Sequence, residues 1–289
     1  MDVDVAVLGG GPAGYTAAIR AAQLGGKVAC IEQEPALGGT CLRVGCIPTK
    51  AWVQTAHAIH DARETFGKLG VAVGEPGLDF GAAVQWKDAV VSQMTGGVAS
   101  LFKANGVEWV RGKGRFTGPN AIAVEDAEDV SFRSAIVATG SFPVRPPIPG
   151  LDSPRCVDST GLLAQTDVPR RLVVLGGGII GSEFASIFNR FGTEVTIVEM
   201  LPTLIPAEDE DAAKELAKAF GKRGIALHLS KQCTRVDDHG DHLTVHFGEG
   251  ETVDCDLMLV CVGRAALVDG IGLEEAGVEF DRSRIATDD

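Results

Sequence analysis

One glycine-rich turn, set between an apolar run and a stretch of small residues, occurs twice in this 289-residue chain with the same internal spacing. The first copy runs from Val3–Leu8 through Gly9-Gly10-Gly11-Pro12-Ala13-Gly14 into Tyr15–Leu24. The second runs from Leu172–Leu175 through Gly176-Gly177-Gly178-Ile179-Ile180-Gly181 into Ser182–Phe191. Each resumes as a short apolar run, Val28–Ile31 and Val195–Val198, closed by an acid, Glu32 and Glu199. Positions 9, 11, 14 and 32 thus recur at 176, 178, 181 and 199, a constant offset of 167. An offset held at four positions marks a duplicated structural unit. Apolar, β-branched runs on either side of a glycine turn and a small-residue stretch predict strand, turn, helix, strand, and parallel strands joined this way belong to α/β sheets. The expected fold is therefore α/β, with two Rossmann-like dinucleotide-binding domains of three layers.

The spacing carries a chemical reading. In a G-x-G-x-x-G turn the first glycine (Gly9, Gly176) makes the bend and the second (Gly11, Gly178) lets backbone approach a pyrophosphate. The third (Gly14, Gly181) lets helix and strand pack closely. The helix amino terminus that follows attracts phosphate, and an acid at the end of the next strand accepts hydrogen bonds from ribose hydroxyls. Glu32 and Glu199 stand where that acid is needed, so the chain is expected to hold two dinucleotides. A carboxylate at Glu199 favours NAD over NADP, whose additional phosphate calls for an arginine.

Between the copies lies Gly38-Gly39-Thr40-Cys41-Leu42-Arg43-Val44-Gly45-Cys46-Ile47-Pro48-Thr49-Lys50. Its two cysteines admit three readings. In a regular helix they would point about 140° apart, so a disulfide needs the irregularity that Gly45 and Pro48 supply. Cys41, Cys46, His57 and His60 loosely imitate a zinc set, with poor spacing. Two reduced, buried thiols are the plainest alternative.

Length and composition narrow the field. At 289 residues the chain exceeds a usual single core, so two domains are expected. The four prolines between Pro143 and Pro149 mark the boundary, giving 1–147, 148–268 and a short segment 269–289. Thr55–Lys68, Phe80–Asn105 and Glu208–Gly224 read as helices, and Val107–Val110, Ala121–Val124, Ile136–Gly140 and Leu257–Val262 as strands. A net charge of −13 without a basic run argues against nucleic acid or an anionic membrane as partner. No apolar stretch approaches the ~18 to 20 residues that cross a bilayer, and the amino terminus is acidic where a secretory leader is basic. Seven cysteines without framework spacing suit a reducing compartment, so a cytoplasmic protein is expected, in which a disulfide would be catalytic. The histidines at 228, 239, 242 and 246 cluster about one hairpin and read as solvated surface; no metal site is expected.

On these motifs the chain resembles the pyridine nucleotide-disulfide oxidoreductases along nearly its whole length, and most of all those members that oxidise a dihydrolipoyl group. The stretch from Gly38 to Lys50 resembles that family's redox signature, with Arg43 and Thr49 where asparagine and serine are commonest. The resemblance implies a Cys41–Cys46 disulfide, with Cys41 the exposed interchange thiol and Cys46 against a flavin. It implies FAD at the first turn, where Gly9, Gly11, Ala13, Gly14, Glu32, Gly39, Thr40, Gly114, Ala138, Thr139 and Gly140 would contribute. NAD would lie at the second, with Gly176, Gly178, Gly181, Glu199 and Gly263. Lys50 would lie near the flavin and pair with Glu183. The implied substrate is a dithiol, on a small molecule or a lipoyl domain.

The same resemblance implies further chain beyond residue 289: a second flavin-binding segment and an interface domain that forms a homodimer and supplies an acid-base histidine and glutamate. None of the six histidines present lies in a matching context, and Ala265-Ala266-Leu267 stand where relatives carry arginine, proline and asparagine. Two classes of function follow, a disulfide oxidoreductase and a nucleotide-binding module with little turnover.

Overall fold

A computed structural model describes residues 1–281 and 284–288. Within the expected closing segment 269–289, residues 282, 283 and 289 lie outside the described ones. The chain divides into two compact units, one of Met1–Pro48, Asp88–Phe142 and the residues from Arg264 onward, the other of Thr49–Lys87 and Pro143–Gly263. The boundary at residues 142 and 143 falls where the prolines begin. Residues 49–87 belong to the second unit and the closing segment to the first, so the units are discontinuous in sequence where contiguous spans were expected.

The first unit is built on a six-stranded sheet. Its strands are β1 (Asp2–Leu8), β2 (Val28–Glu32), β3 (Glu108–Arg111), β4 (Gly114–Gly118), β5 (Ala121–Val124) and β6 (Val130–Val137), in the order β3-β2-β1-β6-β5-β4. The first four in that order run parallel, and β5 and β4 are added antiparallel. Every residue of β2 is buried, because both faces of the sheet are covered. Val7 and Cys30 pack toward Ala18 of α1 (Pro12–Gln23) and Val98 and Phe102 of the long helix that ends at Asn105. Ala6, Leu8, Ala29 and Ile31 face the other way, toward Phe116, Ile122, Ile271 and Leu273. The short helix α2 (Gly39–Val44) follows β2, and α3 (Cys46–His60) begins two residues later. The helix expected from Thr55 therefore starts at Cys46, and past His60 it loosens into wider and then tighter turns to Leu69. The next helix, α4, spans Phe80–Asn105 as the sequence suggests. A ribbon pairs β7 (Ser141–Pro143) with the strand Arg264–Ala266, and beyond it the chain returns to the sheet, where Phe116 N–H donates to the Ile271 carbonyl at 2.8 Å.

The second unit contains β8 (Cys156–Val157), α5 (Ser159–Leu163), β9 (Arg171–Leu175), α6 (Ile179–Phe191), β10 (Glu194–Val198), α7 (Glu210–Lys222) and β11 (Ala226–His228). There follow β12 (Cys233–Asp238), β13 (Leu243–Phe247), β14 (Glu251–Cys255) and β15 (Leu257–Val260). Five of these strands form a wholly parallel sheet, β11-β10-β9-β15-β8. One face carries α6 and α7 through Phe184, Phe188 and Phe220; the other carries the antiparallel β12-β13-β14 sheet through Val236, Val245 and Phe247. Helices, parallel sheet and meander make the three expected layers. The order β3-β2-β1-β6 in the first unit corresponds to β11-β10-β9-β15 in the second, so the duplication legible in the turns extends to sheet topology.

Candidate active site

The two glycine turns are built alike down to single hydrogen bonds. Gly9 and Gly176 have φ of 107° and 106°, a region that only glycine adopts at little cost. Gly9 N–H donates to the Ile31 carbonyl at 2.8 Å and Gly176 N–H to the Val198 carbonyl at 2.9 Å. The third glycines are structural: a Cβ on Gly14 would overlap the Gly9 carbonyl oxygen, and one on Gly181 the Gly176 carbonyl oxygen. The second glycines differ, since a Cβ on Gly11 would meet nothing closer than 3.6 Å and one on Gly178 nothing within 4 Å. Protein packing leaves that space clear, as a turn that admits a pyrophosphate requires. Neither α1 nor α6 has a side-chain cap or an acid in its first turn, so the N–H groups at their amino termini are not taken up by the chain's own carboxylates.

The acids complete the pattern. Glu32 is 8% exposed and accepts from Gly10 N–H at 2.8 Å and Glu34 N–H at 2.9 Å. Glu199 is 6% exposed and accepts from Gly177 N–H at 2.6 Å and Leu201 N–H at 2.7 Å. Two backbone donors hold each carboxylate at its turn, and the remaining lone pairs are what a ribose diol would use. The residues present therefore fit a dinucleotide at each turn. The repeat also extends beyond the four positions that define it in sequence. Gly38 N–H donates to the Gly10 carbonyl and Ile205 N–H to the Gly177 carbonyl, both at 2.8 Å, each just after a buried leucine, Leu37 and Leu204. The second copy thus places a β-branched residue at φ 41° where the first has glycine at φ 115°. The same offset of 167 relates these pairs and would have disclosed them.

The redox segment starts on the first turn. Gly39 abuts Gly11, so that α2 leaves directly from the turn's edge. Gly45, at φ −143° and ψ −112°, breaks the helix between the cysteines. That break resolves the geometrical objection to a bridge: Cys41 and Cys46 are joined as a disulfide with their Cα atoms 4.6 Å apart. Neither the zinc reading nor the paired free thiols survives it. Among the described residues no cluster of three or more histidines, cysteines or acids is arranged to hold a metal. Cys41 is half-buried against the core beneath α1 and Cys46 is exposed; Cys41 lies within α2, whereas Cys46 opens the next helix after the break.

The other expected positions divide. Ala138 N–H donates to the Leu8 carbonyl at 2.8 Å, and Thr139 Oγ1 donates to the Leu267 carbonyl at 2.6 Å, which ties the first turn's far wall to the returning chain. Gly140 is left-handed, with open space where a Cβ would stand, and Ala13 and Thr40 are exposed. Gly114 packs inward, its missing side chain making room for Leu8, Ile31 and Ile122. In the second unit Gly263 is left-handed and accepts from Val144 N–H at 3.0 Å. Lys50 and Glu183, 133 residues apart, form an ion pair through Nζ and Oε1.

The remaining five cysteines are electrostatically quiet. Burial, and after it the Glu32 carboxylate, pushes the Cys30 thiol up to about 12. Burial does the same for Cys255 and, with Glu199, for Cys261, and lifts Cys156 and Cys233 to about 11. A raised thiol pKa leaves a thiolate fraction of about one in a thousand or less at pH 8, and thiolate is the reacting form. After gentle reduction, iodoacetamide at pH 8 is expected to label Cys41 and Cys46 of the native protein and spare the other five, as read by peptide mass. Comparable labelling of Cys30 or Cys261 would contradict these environments.

Two nucleotide turns of one design, the first carrying a disulfide at its edge, define a dinucleotide-binding redox protein. Comparison with known proteins narrows that class. The model of the pyridine nucleotide-disulphide oxidoreductases matches residues 3–289, and the chain belongs to that family. It is 41% identical over 288 residues to the mitochondrial dihydrolipoyl dehydrogenase of Pisum sativum, covering 96% of this chain and 58% of the relative. It is 39% identical over 290 residues to leghemoglobin reductase of Vigna unguiculata, covering 97% of this chain and 55% of that protein. Among solved structures, the Cu(II) complex of the HOCl-induced flavoprotein disulfide reductase RclA from Escherichia coli superposes with a TM-score of 0.88 at 31% identity, over 100% of this chain and 63% of that one. The chain thus spans somewhat over half the length of the curated relatives it matches.

Proposed function

We propose that this chain forms the two nucleotide-binding units of a flavin-dependent disulfide oxidoreductase that passes electrons between NAD(H) and a dithiol through the Cys41–Cys46 pair, with a dihydrolipoyl group as the substrate. The first unit would hold FAD and the second NAD. The observation that carries this reading is the start of the disulfide-bearing helix on the edge of the first glycine turn, Gly39 against Gly11. FAD, when bound, supplies hydride acceptance and one route of electrons to sulfur. The protein's own residues have narrower tasks. Glu32 and Glu199 fix the ribose ends, the turns and the amino termini of α1 and α6 take the pyrophosphates, and Lys50, held by Glu183, presents an ammonium. Cys41 and Cys46 exchange with the substrate: a substrate thiolate attacks one sulfur, the other leaves as thiolate, and a second attack releases the oxidised substrate. The substrate assignment is supported by 41% identity to a dihydrolipoyl dehydrogenase over 96% of the chain. A cytoplasmic setting and a homodimer complete the proposal for the whole protein; no described helix is long and apolar enough to cross a membrane.

The test is spectroscopic and kinetic together. The purified protein should carry flavin absorption and reduce NAD with dihydrolipoamide at a rate at least tenfold above that with NADP. Glu199→Gln should narrow that preference several-fold, because the neutral amide no longer repels the added phosphate. Absence of bound flavin would overturn the reading for this chain. Bound flavin with turnover only on another disulfide would overturn the dihydrolipoyl assignment alone.

A further inference from the structure

Arg43 lies between the two cysteines and stands where the resembled signature has asparagine, and the proposed function gives it no task. Its guanidinium is largely enclosed, with 19% of the side chain exposed, and Nη2 donates to Glu34 Oε2 at 2.6 Å. Glu34 in turn donates its backbone N–H to Glu32, the acid of the first turn. A continuous chain of polar contacts therefore runs from Gly10 through Glu32 and Glu34 to Arg43, at the midpoint of the redox segment.

We infer that Arg43, through Glu34, is a positioning residue that fixes α2 to the first turn and so sets how readily the Cys41–Cys46 disulfide opens. The inference rests on the reading that this disulfide opens and closes in turnover. The physical reason is conformational. Helix α2 has six residues, too few to sustain itself; it begins at Gly39 and is flanked by glycines, Gly38 before it and Gly45 after it. Once the sulfur bridge opens, buried Leu42 still anchors the segment to the core, but its polar face is free to shift unless something else holds it. The Arg43–Glu34 pair limits that freedom, which keeps the two thiols near each other and favours closure. Removing the pair releases the dithiol state and makes the disulfide easier to reduce.

A competing electrostatic effect would act through charge alone, since a lone guanidinium favours thiolate and a lone carboxylate disfavours it. The two accounts separate by sign. Tethering requires that Arg43→Asn and Glu34→Gln shift the equilibrium in the same direction, whereas charge alone requires opposite directions.

The experiment equilibrates the intact protein in mixtures of reduced and oxidised dithiothreitol, traps thiols with iodoacetamide and counts the Cys41–Cys46 peptide by mass. In the balanced exchange two electrons and two protons pass from the dithiol to the protein sulfurs, and dithiothreitol leaves as its cyclic disulfide. Arg43→Asn and Glu34→Gln are each expected to favour the reduced form about fivefold, about 20 mV at 29.6 mV per tenfold change. The double substitution should do no more than either alone. Arg43→Lys should lie between these and the unaltered protein, and the swapped pair Glu34→Arg with Arg43→Glu should return to within about twofold of it. Coincident curves, opposite signs for the two single substitutions, or a swapped pair no better than the singles would overturn the inference. If the unaltered protein's disulfide did not titrate reversibly, the underlying reading would fail and the inference with it.

Discussion

Serine at either Cys41 or Cys46 is expected to remove dithiol-dependent NAD reduction by the whole protein, a loss of about a thousandfold or more, equivalent to about 4 kcal/mol of barrier. The reason is stoichiometric before it is energetic. Two electrons leave a dithiol by two successive attacks on a disulfide, and with one sulfur gone there is no disulfide for the substrate thiolate to attack and no protein thiolate to leave. Neither substitution should unfold the chain, since serine is close in size and the bridge closes only a short loop. Both variants should keep their nucleotides. The pair also separates the roles of the two sulfurs. Cys46 is exposed and Cys41 half-buried beneath α1, and the family resemblance assigns the interchange role to Cys41 with Cys46 against the flavin. Trapping the mixed disulfide with a chromogenic aryl disulfide reagent in Cys41→Ser and Cys46→Ser will show which remaining thiol reacts faster. Retention of more than a tenth of the turnover in either variant would sink the assignment of this disulfide to the reaction.

The second large effect separates folding from binding within one turn. Gly181→Ala drives a methyl into the Gly176 carbonyl oxygen, with Cys261 Sγ 2.8 Å away and Val174 Cγ1 3.0 Å away, so the helix cannot settle on its sheet. A loss of about 3 kcal/mol is expected, seen as a lowered urea midpoint. Three residues earlier, Gly178→Ala places its methyl in open space, on backbone at φ −68° and ψ −173° that alanine adopts freely. Its stability should stay within about 0.5 kcal/mol of the original. Its NAD(H) affinity should nevertheless fall about thirtyfold, close to 2 kcal/mol, because the methyl occupies the approach of the pyrophosphate. Calorimetric titration with NADH checks the second result. Unchanged affinity in Gly178→Ala would mean that no pyrophosphate lies over that turn.

Much of this architecture was legible because its signal is local. A parallel strand buried on both faces is written as a continuous apolar run, and Val28–Ile31 and Leu172–Leu175 are runs of that kind. Helix α4, Phe80–Asn105, was readable to its ends. The rest is settled by contacts distant in sequence. Helix α2 and the start of α3 lie in a glycine- and proline-bearing stretch ahead of the helix read from Thr55, and they form where Gly39 meets Gly11 and Trp52 packs with Phe188. The strand Gly114–Gly118 has only three residues between two glycines, too short a signal to read from sequence, yet it pairs with Ala121–Val124 in the first sheet. Membership of residues 49–87 in the second unit has no signature in composition, because it depends on which core their apolar faces reach.

The sequence by itself determined the duplicated strand-turn-helix plan, the acids that end its second strands, and the presence of two cysteines beside a glycine that can break a helix. These follow from spacing and from the conformational limits of glycine, both properties of the linear chain. Only the tertiary structure decided that Cys41 and Cys46 are bonded, that Lys50 meets Glu183, and that Arg43 is held by Glu34. Such pairings depend on how segments up to 133 residues apart are folded together, and no local pattern specifies that. The disulfide shows the division most plainly: a regular helix would keep its sulfurs apart, and the backbone at Gly45 brings them together.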